Sequence, residues 1–190
     1  MRTYRVIVAN FAVCAAAAVA LTLAACGPSP GPSDEQPAAG GWYEFQGSWN
    51  ASGTRRTLNL GGDRRAGLVV LTGSLLLAGP SRPGVGFRGE VIALGDTRTG
   101  LIGRAVWTDE NGDQVSSELH GEGTAAGNRV EGTFVGGTGR YAGAQGAYEF
   151  TWQYVLEAED GTVQGRAVGL KGRVRVGQPT TAPAATGVKP

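Results

Sequence analysis

The stretch "GGTGRYAGAQG", Gly136 to Gly146, decides how the rest of the chain is read, because five of its eleven residues are glycine. A glycine-rich loop has two ordinary uses. It cradles phosphate when a strand precedes it and a helix follows, so that backbone N–H groups and the helix dipole meet the anion. Alternatively, it turns a corner between two strands, with glycines supplying positive φ. Here "VEGTF" precedes and "AYEFTWQYVLE" follows, both alternating between apolar and polar side chains, and no Gly-Lys-Ser/Thr is present. The nucleotide reading fails on context. The stretch reads as a corner, with the Tyr141 ring tucked beneath the bend.

Working outward, the period stays at two. In "YEFTWQYVLE", Tyr148, Phe150, Trp152, Tyr154 and Leu156 share one face; Glu149, Thr151, Gln153 and Glu157 share the other, with Val155 as the exception. Further strands are expected over 42–50, 54–60, 66–78, 85–94, 101–109, 113–122, 128–135 and 163–176. "LVVLTGSLLLA", Leu68 to Ala78, is apolar at nearly every position and predicts burial on both faces. Asn111-Gly112 and Asp160-Gly161 sit between alternating runs, where a tight hairpin turn, type I′ at Asn111-Gly112, is expected. No helical repeat runs longer than about one turn. Turns every ten or so residues without helices mean an antiparallel sandwich or barrel. Gly73, Gly89, Gly103, Gly132 and Gly169 fall inside strands, where glycine permits the coiling of a small closed barrel. The expected fold is therefore an all-β antiparallel barrel of about eight strands over 41–176.

The ends have a different character. Residues 1–25 read as a secretory signal: Arg2 and Arg5, then the apolar "VIVANFAVCAAAAVALTLAA", then Cys26. The ending "LAAC" resembles a bacterial lipobox, which implies cleavage before Cys26 and lipidation of its sulfur. "GPSPGPSDEQPAAG", residues 27–40, is a Pro/Gly-rich linker spanning roughly 40 Å if extended. Residues 177–190 have the same composition and read as a disordered tail. Cys14 leaves with the signal and Cys26 is capped, so no disulfide is expected. The expected location is the bacterial cell envelope, on the extracytoplasmic side, with the membrane as a partner through the anchor.

Without Arg2 and Arg5 the chain carries fifteen basic and sixteen acidic residues. That balance gives no basic patch and argues against nucleic acid.

The corner resembles the matching hairpin of the allene oxide cyclase and dirigent family, a calycin-type barrel. Gly136, Gly137, Thr138, Gly139, Arg140, Tyr141, Ala144 and Gly146 fit that pattern. The resemblance implies an eight-stranded barrel that is often a homotrimer. Dirigent proteins usually carry a pocket-lining arginine where this chain has Gln145. The family's catalytic acids have no counterparts that can be placed here.

No catalytic, cofactor or metal site emerges. His120, the only histidine, shares a face with Glu118 and Glu122, and a solvated outer face accounts for all three. Glu90 and Arg104 lie on neighbouring strands, as an inward pair or an exposed ion pair. Tyr148, Phe150, Trp152 and Tyr154 either fill the barrel or line a pocket for a small apolar ligand, with Gly89, Gly103, Ala105 and Gly121 as small facing residues. Three roles follow: binding of a small apolar molecule or an envelope component, a cyclase or isomerase that confines its substrate, and a structural lipoprotein without ligand.

If Cys26 carries the lipid, Cys26→Ser will accumulate as unprocessed or soluble protein. Normal processing and full membrane retention of that variant, read by blotting of fractions, would remove the anchor.

Overall fold

The computed structural model describes residues 41–124 and 127–177; the expected signal, lipidation site, linker and nearly all of the tail lie outside the described residues. Eight strands follow in chain order: β1 (Trp42–Asn59), β2 (Arg65–Ala78), β3 (Gly86–Asp96), β4 (Gly100–Thr108), β5 (Gln114–Thr124), β6 (Gly127–Gly137), β7 (Gln145–Glu157) and β8 (Thr162–Arg175). Each pairs antiparallel with its sequence neighbour, and β1 closes on β8 from Trp42↔Arg175 to Thr54↔Thr162. The all-β closed barrel expected from the alternation is the observed fold.

The two strands expected over 42–50 and 54–60 are one. β1 is 18 residues long and serves two neighbours, β8 through its first two-thirds and β2 through its last two-thirds. Between Gly47 and Trp49 its register against β8 shifts by one residue, the extra residue lying on β8. Opposite that shift, Gly169 takes φ +67° inside β8, a bulge that adds local twist.

Both expected hairpin turns are present, but the one at Asn111-Gly112 differs from the expected type I′. Type I′ requires positive φ at both central residues, and no non-glycine residue among those described has positive φ. Instead Gly112 N donates to Asp109 O at 3.1 Å and Asp109 N to Asp113 O at 3.0 Å. The turn centres on Glu110-Asn111 and Gly112 follows it at φ +84°. Ala158–Thr162 repeats the arrangement, with Gly161 at φ +87°.

The opening stretch is a corner. Gly139–Tyr141 form one 3-10 turn between β6 and β7, and Tyr141 is buried beneath it. The Tyr141 ring meets Phe87 at a centroid distance of 5.7 Å and closes that end of the barrel. The Asp113 carboxylate accepts the Arg140 N–H at 3.2 Å, and Thr138 Oγ1 accepts the Gln114 N–H at 2.9 Å. These bonds lash the corner to the β4–β5 hairpin.

Gly139 sits at φ +50°, and a Cβ there would collide with the Asp113 carboxylate. Gly139→Val therefore meets both backbone strain, about 1–2 kcal/mol for the φ alone, and a steric conflict. Chemical denaturation should show a loss at least that large; a variant as stable as the wild type would contradict the corner geometry.

Candidate functional site

The barrel interior is filled by rings. Tyr148, Phe150 and Trp152 of β7 point inward and are buried, and Tyr154 is half-buried at the far end. Alternation then fails. A register shift between Tyr154 and Leu156 leaves Leu156 and Val155 exposed. Trp152 packs on Trp49 at 5.0 Å between centroids, and Tyr148 on Trp107 at 4.7 Å and Phe134 at 5.1 Å. The Tyr148 hydroxyl lies 2.7 Å from Ser117 Oγ. Burial pushes its pKa up, out of the range where it would act as a base.

The small residues expected to face these rings do not open a chamber. A Cβ on Gly89 would press on the Trp49 indole, while Gly103 and Gly121 lie against neighbouring-strand residues and meet no ring; Gly165, not foreseen, makes room for the Trp152 indole. What remains among Trp49, Leu75, Trp107, Tyr148 and Phe150 is a void of about 10 Å³, at the lower limit for a single water molecule.

Glu90 and Arg104 are both outside, so the inward pair is corrected. Nor do they bond each other: Glu90 faces Val106 and Arg104 faces Ile92 across β3 and β4. Glu90 Oε1 takes Arg88 at 3.0 Å, and Glu118 Oε1 takes Arg104 at 2.9 Å. The reason is parity: both residues alternate with buried neighbours, Val91 and Ala105. His120 is exposed on the outer face of β5. No group of three or more potential metal ligands comes together among the described residues.

Sequence reading missed the acidic residues of the β4–β5 hairpin. Asp109 is buried, and its Oδ1 accepts the amides of Asn111 at 2.8 Å and Asp113 at 3.0 Å. Arg140 Nε lies 2.7 Å from Asp109 Oδ2 and donates to the Tyr141 hydroxyl at 2.8 Å. Alignment favours the hydroxyl, so Oδ2 is held by charge. Burial opposes the Asp109 charge, but the two amides and Arg140 outweigh it and hold the carboxyl below its ordinary pKa. Every group here closes on another group of the corner. The signal was available, since an Asx residue two before a glycine turn commonly bonds the backbone ahead of it.

A groove of about 630 Å³ crosses the outside of β6, β7, β8 and β1. Part of its charge pairs internally: Glu149 takes Lys171 at 3.1 Å and Arg129 at 3.1 Å, and Arg129 takes Glu131 at 3.3 Å, while Glu44 and Arg173 at its rim form no ion pair with a described residue.

The surface that stays unsatisfied is the outside of β2, β3 and β4. The both-faced burial expected for Leu68–Ala78 is corrected: Leu71, Leu75 and Leu77 point in, while Leu68, Val70 and Leu76 point into solvent. Cross-strand register aligns Leu68 with Leu94 and Ile102, and Val70 with Ile92. These five aliphatic side chains are 43% to 58% exposed. They lie side by side on three neighbouring strands as one apolar patch, and contiguous apolar surface of this kind is where interaction sites are found. Its signal was the apolar run "VIAL", Val91–Leu94, which breaks alternation as Leu68–Ala78 does.

Comparison of the chain with protein-family models, curated proteins and solved structures gave no match.

If the interior is a packed core, Trp152→Ala leaves a hole costing about 3–5 kcal/mol. Equilibrium unfolding should show that loss, and an apolar fluorescent probe should not bind the wild type. A small loss together with probe uptake by the wild type would restore the pocket.

Proposed function

We propose that this protein is a lipid-anchored module of the bacterial cell envelope that works by binding with the outside of its barrel. The partner we propose is a further copy of the same chain, seated on the outer face of β2–β4. The observation that carries this reading is the apolar patch of Leu68, Val70, Ile92, Leu94 and Ile102 around a barrel whose interior is already full. Holding a small apolar molecule or a reactive substrate inside the barrel would need a chamber there, and an interior void of about 10 Å³ supports the outward-facing reading instead.

The rim of the patch suits a neutral, self-complementary contact. Glu90 is already bonded to Arg88, and Arg104 to Glu118, so no strong field of one sign favours a polyanion or polycation. A closed barrel has no free sheet edge, so copies meet face to face through side chains. A standard interface buries about 800 Å² per partner; the patch supplies its apolar centre and the polar rim the remainder. The resemblance of the Gly136–Gly146 corner to allene oxide cyclase and dirigent barrels points the same way, to a homotrimer.

Light scattering on natively purified protein tests this. A mass above one chain is expected, collapsing to a single chain in Ile92→Glu/Leu94→Glu with the circular-dichroism melt retained. A monomeric wild type at micromolar concentration would refute self-assembly through this face.

A further inference from the structure

An up-and-down barrel with an even number of strands releases both chain ends at the same end. Here β1 starts at Trp42 and β8 finishes at Arg175, and the two residues are register partners. At this seam Trp42 is 45% exposed. The Arg173 and Arg175 guanidinium carbons stand 4.9 Å and 5.6 Å from the centroid of its ring. Arg175 Nη2 also donates to Gln145 Oε1 at 2.9 Å. Among the described residues, neither guanidinium has a carboxylate within salt-bridge distance. Glu44 is the register partner of Arg173, yet that arginine stacks on Trp42 instead.

Both arginines are exposed and, apart from the Arg175 bond to Gln145, keep N–H donors free of any carboxylate among the described residues; a guanidinium fork matches phosphate oxygens. An exposed indole beside arginines is also the pairing that settles at a membrane–water boundary, with the ring at headgroup depth and the cations at phosphate.

We infer that the rim of Trp42, Arg173 and Arg175 seats on the phosphates of anionic lipids in the membrane that carries the anchor. The inference rests on the lipid anchor at Cys26. Residues 27–41 reach roughly 40 Å when extended, and they join the barrel directly before Trp42. The tether therefore delivers this rim to the bilayer before any other part of the barrel. Once the acyl chains are inserted, docking is intramolecular and needs little affinity of its own. A polar linker without such a contact would leave the barrel tumbling above the surface.

Fluorescence tests the inference on the processed, full-length protein. Trp49, Trp107 and Trp152 are 4% to 6% exposed, so acrylamide reports mainly on Trp42, and Trp42→Phe supplies the background. The protein is placed in vesicles of phosphatidylcholine alone or doped with phosphatidylglycerol. Intact mass of the same sample reads acylation of Cys26. With the acyl group present, the Trp42 quenching constant should fall at least twofold in the phosphatidylglycerol vesicles and recover at high salt. Arg173→Gln/Arg175→Gln should lose the lipid dependence while keeping its melting temperature within a few degrees. An acylated protein whose Trp42 is quenched equally in both vesicles overturns the headgroup contact and leaves the anchor standing. An unmodified Cys26 overturns the anchor, and the inference with it.

Discussion

The constraint that governs this barrel is volume. Eight strands close around a space that their own inward side chains must fill, and this chain fills it with a few large rings. Rings of that size fit where a nearby strand lacks a Cβ. Gly132 lies against the Tyr148 ring of the adjacent strand, Gly165 against the Trp152 indole of the adjacent strand, and Gly89 of β3 against the Trp49 indole of β1. With the interior packed, the surfaces that remain for contact among the described residues are the ends and the outside of the barrel.

The ends are treated differently from the wall. At the end where the chain enters and leaves, Tyr141 and Phe87 close the interior. The charges of that corner are spent on holding it: Asp109 on two amides and Arg140, Asp113 on the Arg140 amide. The wall carries two kinds of surface. Across β6–β8 a cluster of Arg129, Glu131, Glu149 and Lys171 pairs among itself. Across β2–β4 the patch side chains are aliphatic and unpaired, which is costly for a protein in water and is the basis for assigning them a partner.

Much of this was legible in the sequence. Alternation at Tyr148–Tyr154 named the inward face correctly because a period of two fixes side-chain parity once the strand is known. The glycine corner was legible because the strand after it excluded the alternative. Several features were not. A bulge preserves composition while shifting parity, so the outward turn of Leu156 left no local trace, and β1 runs on through Ala51–Gly53 with its parity unchanged, where small residues had suggested a break. The turn at Glu110-Asn111 depends on which residue takes positive φ, and an Asn-Gly pair permits both answers. The run Leu68–Ala78 was read as doubly buried because apolar side chains on both parities ordinarily are; among the described residues nothing covers the outer set. Glu90 and Arg104 were placed on the right strands, but their partners, Arg88 and Glu118, depend on side-chain reach along and across strands.

Closure through adjacent first and last strands has a mechanical consequence. A force entering along the chain ahead of Trp42 acts on β1 where it lies beside the end of β8, at the first rung of the twelve-residue β1–β8 pairing. The rungs from Trp42 to Thr54 then bear the load one after another, as in an opening zip, rather than all together in shear. The weakest geometry for resisting tension is thus set at the point of attachment. Trp42, clasped by Arg173 and Arg175, is the rivet on that first rung.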